Sequence, residues 1–581
     1  MRDRTSLYPK LTTPFESARG TDELPFSAYP RPQMKRDSYL CLNGTWNLTV
    51  KAKKNGETVY NGEILVPFPP ESRLSGVTCA VTPGDLLLYS RTFTLPEGFI
   101  RHRVLLHFGA VDQSAVVFVN GKIAGSHRGG YLPFSLDVTD LLCDGENRLA
   151  VNVLDPLDRT LPYGKQRKKR GGMWYTPISG IWQTVWLESV PAHAITSLRI
   201  TPTLETVTVA VGGGESDKTI TVETDGAPLS VPFRGESITL RIPSPKPWTP
   251  EEPHLYRFTV TSGEDSVASY FALRTVSSET VNGVPRLLLN GKPYFFHALL
   301  DQGYFSDGIY LPATEEGYTN DILTMKRCGF NTLRKHIKIE PECFYYDCDR
   351  LGMIVFQDMV NNGDYSFFLD TALPTVGIKR GMPSRMKKQS RIEFLRAAEE
   401  TLAHLYNHPS ICYYTVFNEG WGQFDSDRVY RMLKTMDETR IYDATSGWFH
   451  GKESDVQSEH VYFKPVRLRM HKERPTVLSE FGGYSCMIKE HAFCPEKPYG
   501  YRYFEEQAAF EDALVALYEN EILPAVRQGL SAAVLTQVSD VEDETNGLLT
   551  YDRQVLKVSE ERMQKIAEKL RRASEDSIKS K

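Results

Sequence analysis

Near residue 283 the rhythm of the chain changes, and this change constrains the fold more than any other feature. From there on, strand-like apolar runs alternate with helical ones, the pattern of βαβ units feeding a parallel sheet. Eight runs can be counted: YFFHALL (294–300), NTLRKH (331–336), MIVFQDM (353–359), CYYTVFNE (412–419), DATSGW (443–448), VQSEHVY (456–462), TVLSEFG (476–482) and AAVLTQVSD (532–540). Helical segments lie between most of them. The one after 391 carries Phe394, Leu395, Ala398, Leu402 and Leu405 on one stripe, the 3.6-residue period of a helix packed on a core. Eight such units in roughly 290 residues have the count and size of a TIM barrel.

The residues ahead of the barrel read as all-β. Short alternating segments such as GTWNLTV, LYSRTFTL, VLLHFG and RLAVNVL are bounded by Gly, Asn, Asp and Pro, as in a sandwich or jelly roll. Asn120-Gly121 in VFVNGKIAG is a strong hairpin turn signal. From Pro191 the alternation continues for about 85 residues, the size of a small immunoglobulin-like sandwich. The Pro-rich stretch 244–256 falls between strands. The expected fold class is therefore multidomain β plus α/β: an N-terminal jelly-roll β-sandwich over 1–190, an immunoglobulin-like β-sandwich over 191–280 and a C-terminal TIM (β/α)8 barrel over 281–581. The tail RRASEDSIKSK is expected to fray.

Composition narrows the function classes. A net charge of −5 gives no positive field for nucleic acid or an anionic membrane. The densest basic run, KQRKKR (165–170), lies between turn residues and reads as a solvated loop. No run of 18 apolar residues and no leader-like N-terminus is present. Nine scattered cysteines without CxxC pairs fit reduced thiols, hence an expected cytoplasmic location. His404 and His408 stand at i, i+4, but without the Glu of HExxH, and are read as structural. No metal site, organic cofactor, phosphate loop or GxSxG elbow is indicated.

A TIM barrel places its active site at the C-terminal ends of its strands. There the chain puts Asp301, Arg334 and His336, Asp358, Asn418 and Glu419, Trp448, His460 and Tyr462, Glu480, and Gln537 and Asp540. Polar ends on all eight strands describe a lined pocket. Glu419 and Glu480, on the fourth and seventh strands, can face each other across the mouth. Glycoside hydrolysis needs such a pair, one carboxyl giving a proton to the leaving oxygen and the other attacking the anomeric carbon or activating water. Trp421 would help desolvate the site. The competing reading, that both glutamates make structural ion pairs with Arg or Lys, gains weight if either is taken alone and loses it once both strand ends are taken together.

These motifs resemble glycoside hydrolase family 2, the group of β-galactosidases, β-glucuronidases and β-mannosidases. The likeness runs from about residue 38 to 555 and rests on LNGTWNL, FGAVDQSAVVFVNGKIAGSHRGGYLPFSLDVTDLL, SGIWQTVWLE, CGFNTLRKHIKIEP, NHPSICYYTVFNEGWGQFD and PTVLSEFGG. It implies a retaining mechanism with Glu419 as acid/base and Glu480 as nucleophile. By the same match Asn418 holds the hydroxyl beside the anomeric carbon, Tyr462 hydrogen-bonds the nucleophile, and Trp448 and His336 line the sugar site. Asp301, Arg334, Trp421, Gln537 and Asp540 complete the expected substrate contacts.

The family's glucuronidases carry an Asn-x-Lys pair near the barrel end. QVSDVEDETNGLLTYDR lacks it, and Asp540, Glu542 and Asp543 would repel a sugar carboxylate. A neutral sugar and a β-galactosidase are therefore expected, with β-glucuronidase, β-mannosidase and α-L-arabinosidase as alternatives. A carbohydrate-binding protein on an inactive barrel would lack one of the two carboxyls. The expected partner is a small oligosaccharide or glycoside, with no nucleic acid and no membrane; the resemblance makes a homo-oligomer a common state. Long connections at 361–389 and 484–504, with 159–172 from the first domain, are expected to shape the entrance.

Overall fold

The computed structural model describes residues 11–18, 20, 23–375, 377–378 and 385–579. Alternating burial builds the first sandwich. In Gly44–Lys51, for example, Trp46, Leu48 and Val50 point inward while their neighbours face out. A six-stranded antiparallel sheet, in the order 58–66, 44–51, 86–94, 146–154, 114–119, 122–128, faces a four-stranded one made of 39–41, 185–190, 103–108 and 134–137. The hairpin between Ser114–Val119 and Lys122–Arg128 turns on Asn120 and Gly121, both at positive φ, as a two-residue turn requires.

The second sandwich packs sheets of three and four strands around Ile200, Val209, Ile220, Phe258 and Val260. Buried ion pairs clamp it to the first: Glu188 meets Arg31 at 2.6 Å and Arg36 at 3.3 Å, and Arg36 reaches Asp265 at 2.9 Å. The strand Val276–Val281 spans the expected boundary at 280. It belongs to a small three-stranded sheet whose Leu287 and Leu289 pack with Phe296, Ile354 and Phe356 at the starts of barrel strands, so this sheet floors the barrel.

All eight barrel strands are present: β1 Phe296–Asp301, β2 Thr332–Lys335, β3 Ile354–Asp358, β4 Ile411–Thr415, β5 Ile441–Asp443, β6 Gln457–Val461, β7 Thr476–Gly482 and β8 Ala532–Thr536. They pair in the order 5-4-3-2-1-8-7-6, every pair parallel. Between β5 and β6 side chains join the two strand ends, with Ser458 Oγ on Thr445 O at 3.3 Å and His460 Nε2 on Ser446 Oγ at 3.0 Å. The helix Lys388–Leu405 buries Phe394, Ala398, Leu402 and Leu405 as its stripe requires. No helix of the described residues is long and apolar enough to cross a membrane, and none of the nine cysteines is in a disulfide.

The tail differs from expectation. Residues 560–579 form one helix, because Met563, Ile566, Leu570 and Ala573 supply an apolar stripe that packs on the barrel core. His404 and His408 take separate partners, Glu342 at 3.8 Å and Asp349 at 2.8 Å, consistent with a structural reading.

Candidate active site

The two glutamates are positioned by different backbone devices. Glu480 lies on β7 beside an irregularity: Glu459 pairs with Leu478 but His460 pairs with Glu480, so Ser479 is the extra residue. Such bulges re-aim side chains beside active sites. Glu419 lies four residues beyond the end of β4, in a turn where it and Gly420 both have positive φ (54° and 72°). That conformation is uncommon for a residue with a Cβ. It is held from both sides, since Glu419 N donates to Ser446 O at 3.0 Å and Trp448 Nε1 donates to Glu419 O at 3.1 Å.

The side chains then converge. Single oxygens of Glu419 and Glu480 and a nitrogen of His460 all lie within 4.8 Å of one another. Arg334 Nη1 donates to Glu480 Oε1 at 3.0 Å, and Tyr462 Oη donates to Glu480 Oε2 at 2.7 Å. Burial alone would raise the Glu480 carboxyl, but the charges of His460 and Arg334 outweigh it and hold it at about 2. It is thus an ionised group throughout the neutral range. His460 Nδ1 sits 2.8 Å from Glu419 Oε1 and 3.5 Å from Glu480 Oε2. A cation would also need such a convergence, but Arg334 already supplies the counter-charge to Glu480 and both nitrogens of His460 are hydrogen-bonded.

The expected substrate contacts divide into three groups. Asn418 precedes Glu419 directly, its Oδ1 accepting from Arg334 Nη2 at 2.9 Å. Trp448 packs edge-on to His460 with centroids 5.5 Å apart, and Tyr462 stacks on Tyr501 at 4.2 Å. Gln537 Nε2 donates to Asn546 Oδ1 at 2.7 Å, while its buried Oε1 has no protein partner.

A second group stands behind the glutamates rather than in front. Arg334 is 1% exposed and is consumed by Asp358, Ser479, Glu480 and Asn418; it braces the site. His336 Nδ1 meets Asp358 Oδ2 at 2.6 Å, and burial pushes the imidazole down to about 4, so it is neutral.

The third group is turned elsewhere. Asp301 is spent on Lys335 at 2.6 Å, and Asp540 on Lys557 at 2.6 Å. Both carboxylates are buried and each needs the lysine to offset its desolvation. Trp421 is 2% exposed and packs against Tyr163, Trp174 and Tyr365, with centroids 5.1 to 6.1 Å away.

Three models cover most of the chain: "Glycosyl hydrolases family 2, sugar binding domain" over 42–191, "Glycosyl hydrolases family 2" over 176–274 and "Glycosyl hydrolases family 2, TIM barrel domain" over 285–483. The chain belongs to glycoside hydrolase family 2. Among curated relatives of this family 2 chain, a β-galactosidase of Aeromonas hydrophila is 29% identical over 425 residues, covering 67% of this chain and 38% of that protein. One of Priestia megaterium is 24% identical over 440 residues, covering 68% and 41%. The matches thus span about two fifths of the length of those relatives. Among solved structures, a β-glucuronidase of an uncultured Clostridium sp. has a TM-score of 0.73 at 18% identity, covering 93% of this chain and 99% of that one. A β-galacturonidase of Eisenbergiella tayi bound to glycerol has a TM-score of 0.67 at 20% identity, covering 92% and 97%. These structural likenesses speak for the fold.

Two residues of this family 2 site had little signal in the sequence. His460 was one polar strand end among many; its i, i+2 spacing to Tyr462 is the cue that both share a face of β6. Lys165 sits in the run read as a solvated loop. That reading suits the exposed Lys168 and Lys169, but Lys165 is only 9% exposed. It forms no ion pair with a described residue, and its charge is felt at both His336 and Glu544. Its segment is tied to the barrel by Tyr163 Oη on Gly363 O at 2.8 Å and Arg170 on Asp543 at 2.8 Å. The entrance segment 361–389 is described only in part, since 376 and 379–384 lie outside the described residues.

Proposed function

We propose that the protein is a retaining exo-β-glycosidase that removes terminal non-reducing sugars by double displacement. The observation that carries this reading is that one oxygen of Glu419 comes within 4.8 Å of one oxygen of Glu480, the two carboxyls lying in unlike surroundings. Retaining pairs are separated by about 5–5.5 Å, whereas inverting pairs leave room for water at about 6.5 Å or more. Glu480, ionised and held by Arg334 and Tyr462, is the nucleophile. Glu419, at the turn after β4, gives its proton to the glycosidic oxygen as the bond to the anomeric carbon breaks. It then takes a proton from the water that displaces Glu480. Asn418 presents its amide N–H groups to a sugar hydroxyl.

The first sugar to test is a β-galactoside, in line with the curated relatives. A second reading, a β-linked sugar acid, is favoured by Lys165, a buried ammonium without an ion-pair partner among the described residues. The expected repulsion from Asp540, Glu542 and Asp543 is weaker than the sequence suggests, because Lys557 pairs with the first and Arg170 with the other two. Release of 4-nitrophenol from β-galactoside, β-glucuronide, β-galacturonide, β-mannoside, β-glucoside and α-L-arabinoside substrates tests both readings. Cleavage of one of them with retained anomeric configuration is the expected result. Cleavage with inversion, or none with any sugar, overturns the proposal.

A further inference from the structure

His460 occupies the space between the two carboxyls, and the proton on each of its nitrogens follows from the chain of hydrogen bonds behind it. That chain ends on a backbone carbonyl, Glu459 O, which can only accept. Ser479 Oγ therefore donates to it, at 3.3 Å. With its only proton used, Ser479 Oγ accepts from Ser446 Oγ at 3.0 Å. Ser446 has then used its own proton, so at 3.0 Å it accepts from His460 Nε2. Nε2 carries a hydrogen in every protonation state of this arrangement.

The consequence falls on the opposite nitrogen. If His460 is neutral, Nδ1 is a bare lone pair facing Glu419 Oε1 at 2.8 Å. Two acceptors do not rest at that distance without a proton between them. We propose that His460 is the positioning residue of the acid/base: it holds Glu419 through a single shared proton, which the Ser446–Ser479 chain forbids it to replace by changing tautomer. This rests on the reading of Glu419 as acid/base and deepens it.

The proton balance follows. In the first step the shared proton passes through Glu419 to the leaving oxygen. The pair of electrons of the glycosidic bond goes to that oxygen, and a Glu480 oxygen bonds to the anomeric carbon. The emptied pair, carboxylate against bare Nδ1, is repulsive. In the second step Glu419 takes a proton from water as the water oxygen attacks the anomeric carbon and Glu480 leaves as a carboxylate. One proton goes out and one comes in, and the repulsion makes Glu419 a more willing base when it must be one.

The charged and titratable surroundings of His460 agree with such a device. On its own strand Glu459 precedes it and turns to His450 at 3.8 Å, and Tyr462 lies just past the strand end. From β7 it meets Glu480, whose charge Arg334 of β2 balances, with the neutral His336 beyond. From the loop after β5 come Ser446 and the Trp448 ring, both uncharged. The ion pair of Glu419 is the one with His460.

The test compares His460→Asn with the intact chain on aryl β-glycosides of the cleaved sugar, from phenyl to 2,4-dinitrophenyl. A phenyl leaving group needs the proton and a dinitrophenyl one does not. The expected result is a fall in kcat/KM of about 100-fold or more for phenyl and under about fivefold for dinitrophenyl. An equal fall across the series marks a merely structural role and overturns the proposal. Ser446→Ala, which frees the tautomer while keeping the imidazole, should show the same slope with a smaller fall; it serves if His460→Asn does not fold. Nitrogen-15 imidazole NMR gives a readout independent of turnover. Nε2 should stay protonated while the Nδ1 signal moves on Glu419→Gln. A bare Nε2 overturns the proposal even where catalysis is normal, whereas an intact NMR signature with no glycoside cleaved faults the functional reading instead.

Discussion

The two sides of the barrel mouth are built on opposite plans. On the Glu480 side every support comes from barrel strands: Arg334 from the end of β2, the bulge of β7 and Tyr462 just past β6. The side chain is 7% exposed and held in one charge state by an ion pair with Arg334. On the Glu419 side the residue lies outside the sheet, in a left-handed turn, with 15% of its side chain exposed. Its backbone is held by groups from the loop after β5, Ser446 O and Trp448 Nε1. The difference suits the roles proposed for the two residues. A nucleophile needs fixed geometry and permanent charge, while an acid/base must change protonation and admit both a departing group and a water.

The largest effect that would test this contrast is Glu480→Gln, expected to lower kcat/KM by at least about 10⁴-fold with every leaving group. Equal residual activity on activated and unactivated substrates is the signature to measure. Next is Glu419→Ala, expected to cost about 10²–10⁴-fold on phenyl glycosides and far less on dinitrophenyl ones. If the two variants show the same leaving-group profile, the sides are not functionally distinct. Arg334→Met removes the guanidinium that the buried Glu480 and Asp358 share, so unfolding in denaturant should show a loss of about 3–5 kcal/mol. A loss under about 1 kcal/mol would mean that the brace is dispensable.

Acid sharpens the same point. The Glu480 carboxyl is depressed in the folded state, so its contribution to stability is present above about 4.5 and is lost as the pH falls toward about 2. The Tm advantage of the intact chain over Glu480→Gln should shrink across that window. A constant advantage would show that the ion pair does not carry it. The smallest effect is expected from Trp174→Ala, which removes the ring packed on Trp421 and Tyr365: a KM change under about tenfold. A larger change in KM would show that this cluster shapes the site directly.

The barrel was legible because parallel strands buried on both faces leave near-continuous apolar runs. Its strand ends were less so. The runs ending at Glu419, Trp448 and Asp540 overshoot ladders that stop at Thr415, Asp443 and Thr536, since pairing ceases where the backbone turns to present side chains. The glutamates were readable because each closes a strong apolar run. The fate of Asp301 and Asp540 was not, because a lysine reached through the fold leaves no local mark. The same holds for Lys165, whose burial depends on a different domain lying against it.

The positive φ of Glu419 has a consequence for how variants of this chain would sort. Asn and Gly accept a left-handed backbone at less cost than glutamate does, by about 1 kcal/mol. In a library recovered only for soluble expression, inactive Glu419→Asn and Glu419→Gly chains should therefore persist or even accumulate. A sorting scheme for this protein that rewards robustness without reading turnover would drift toward well-behaved proteins that do nothing.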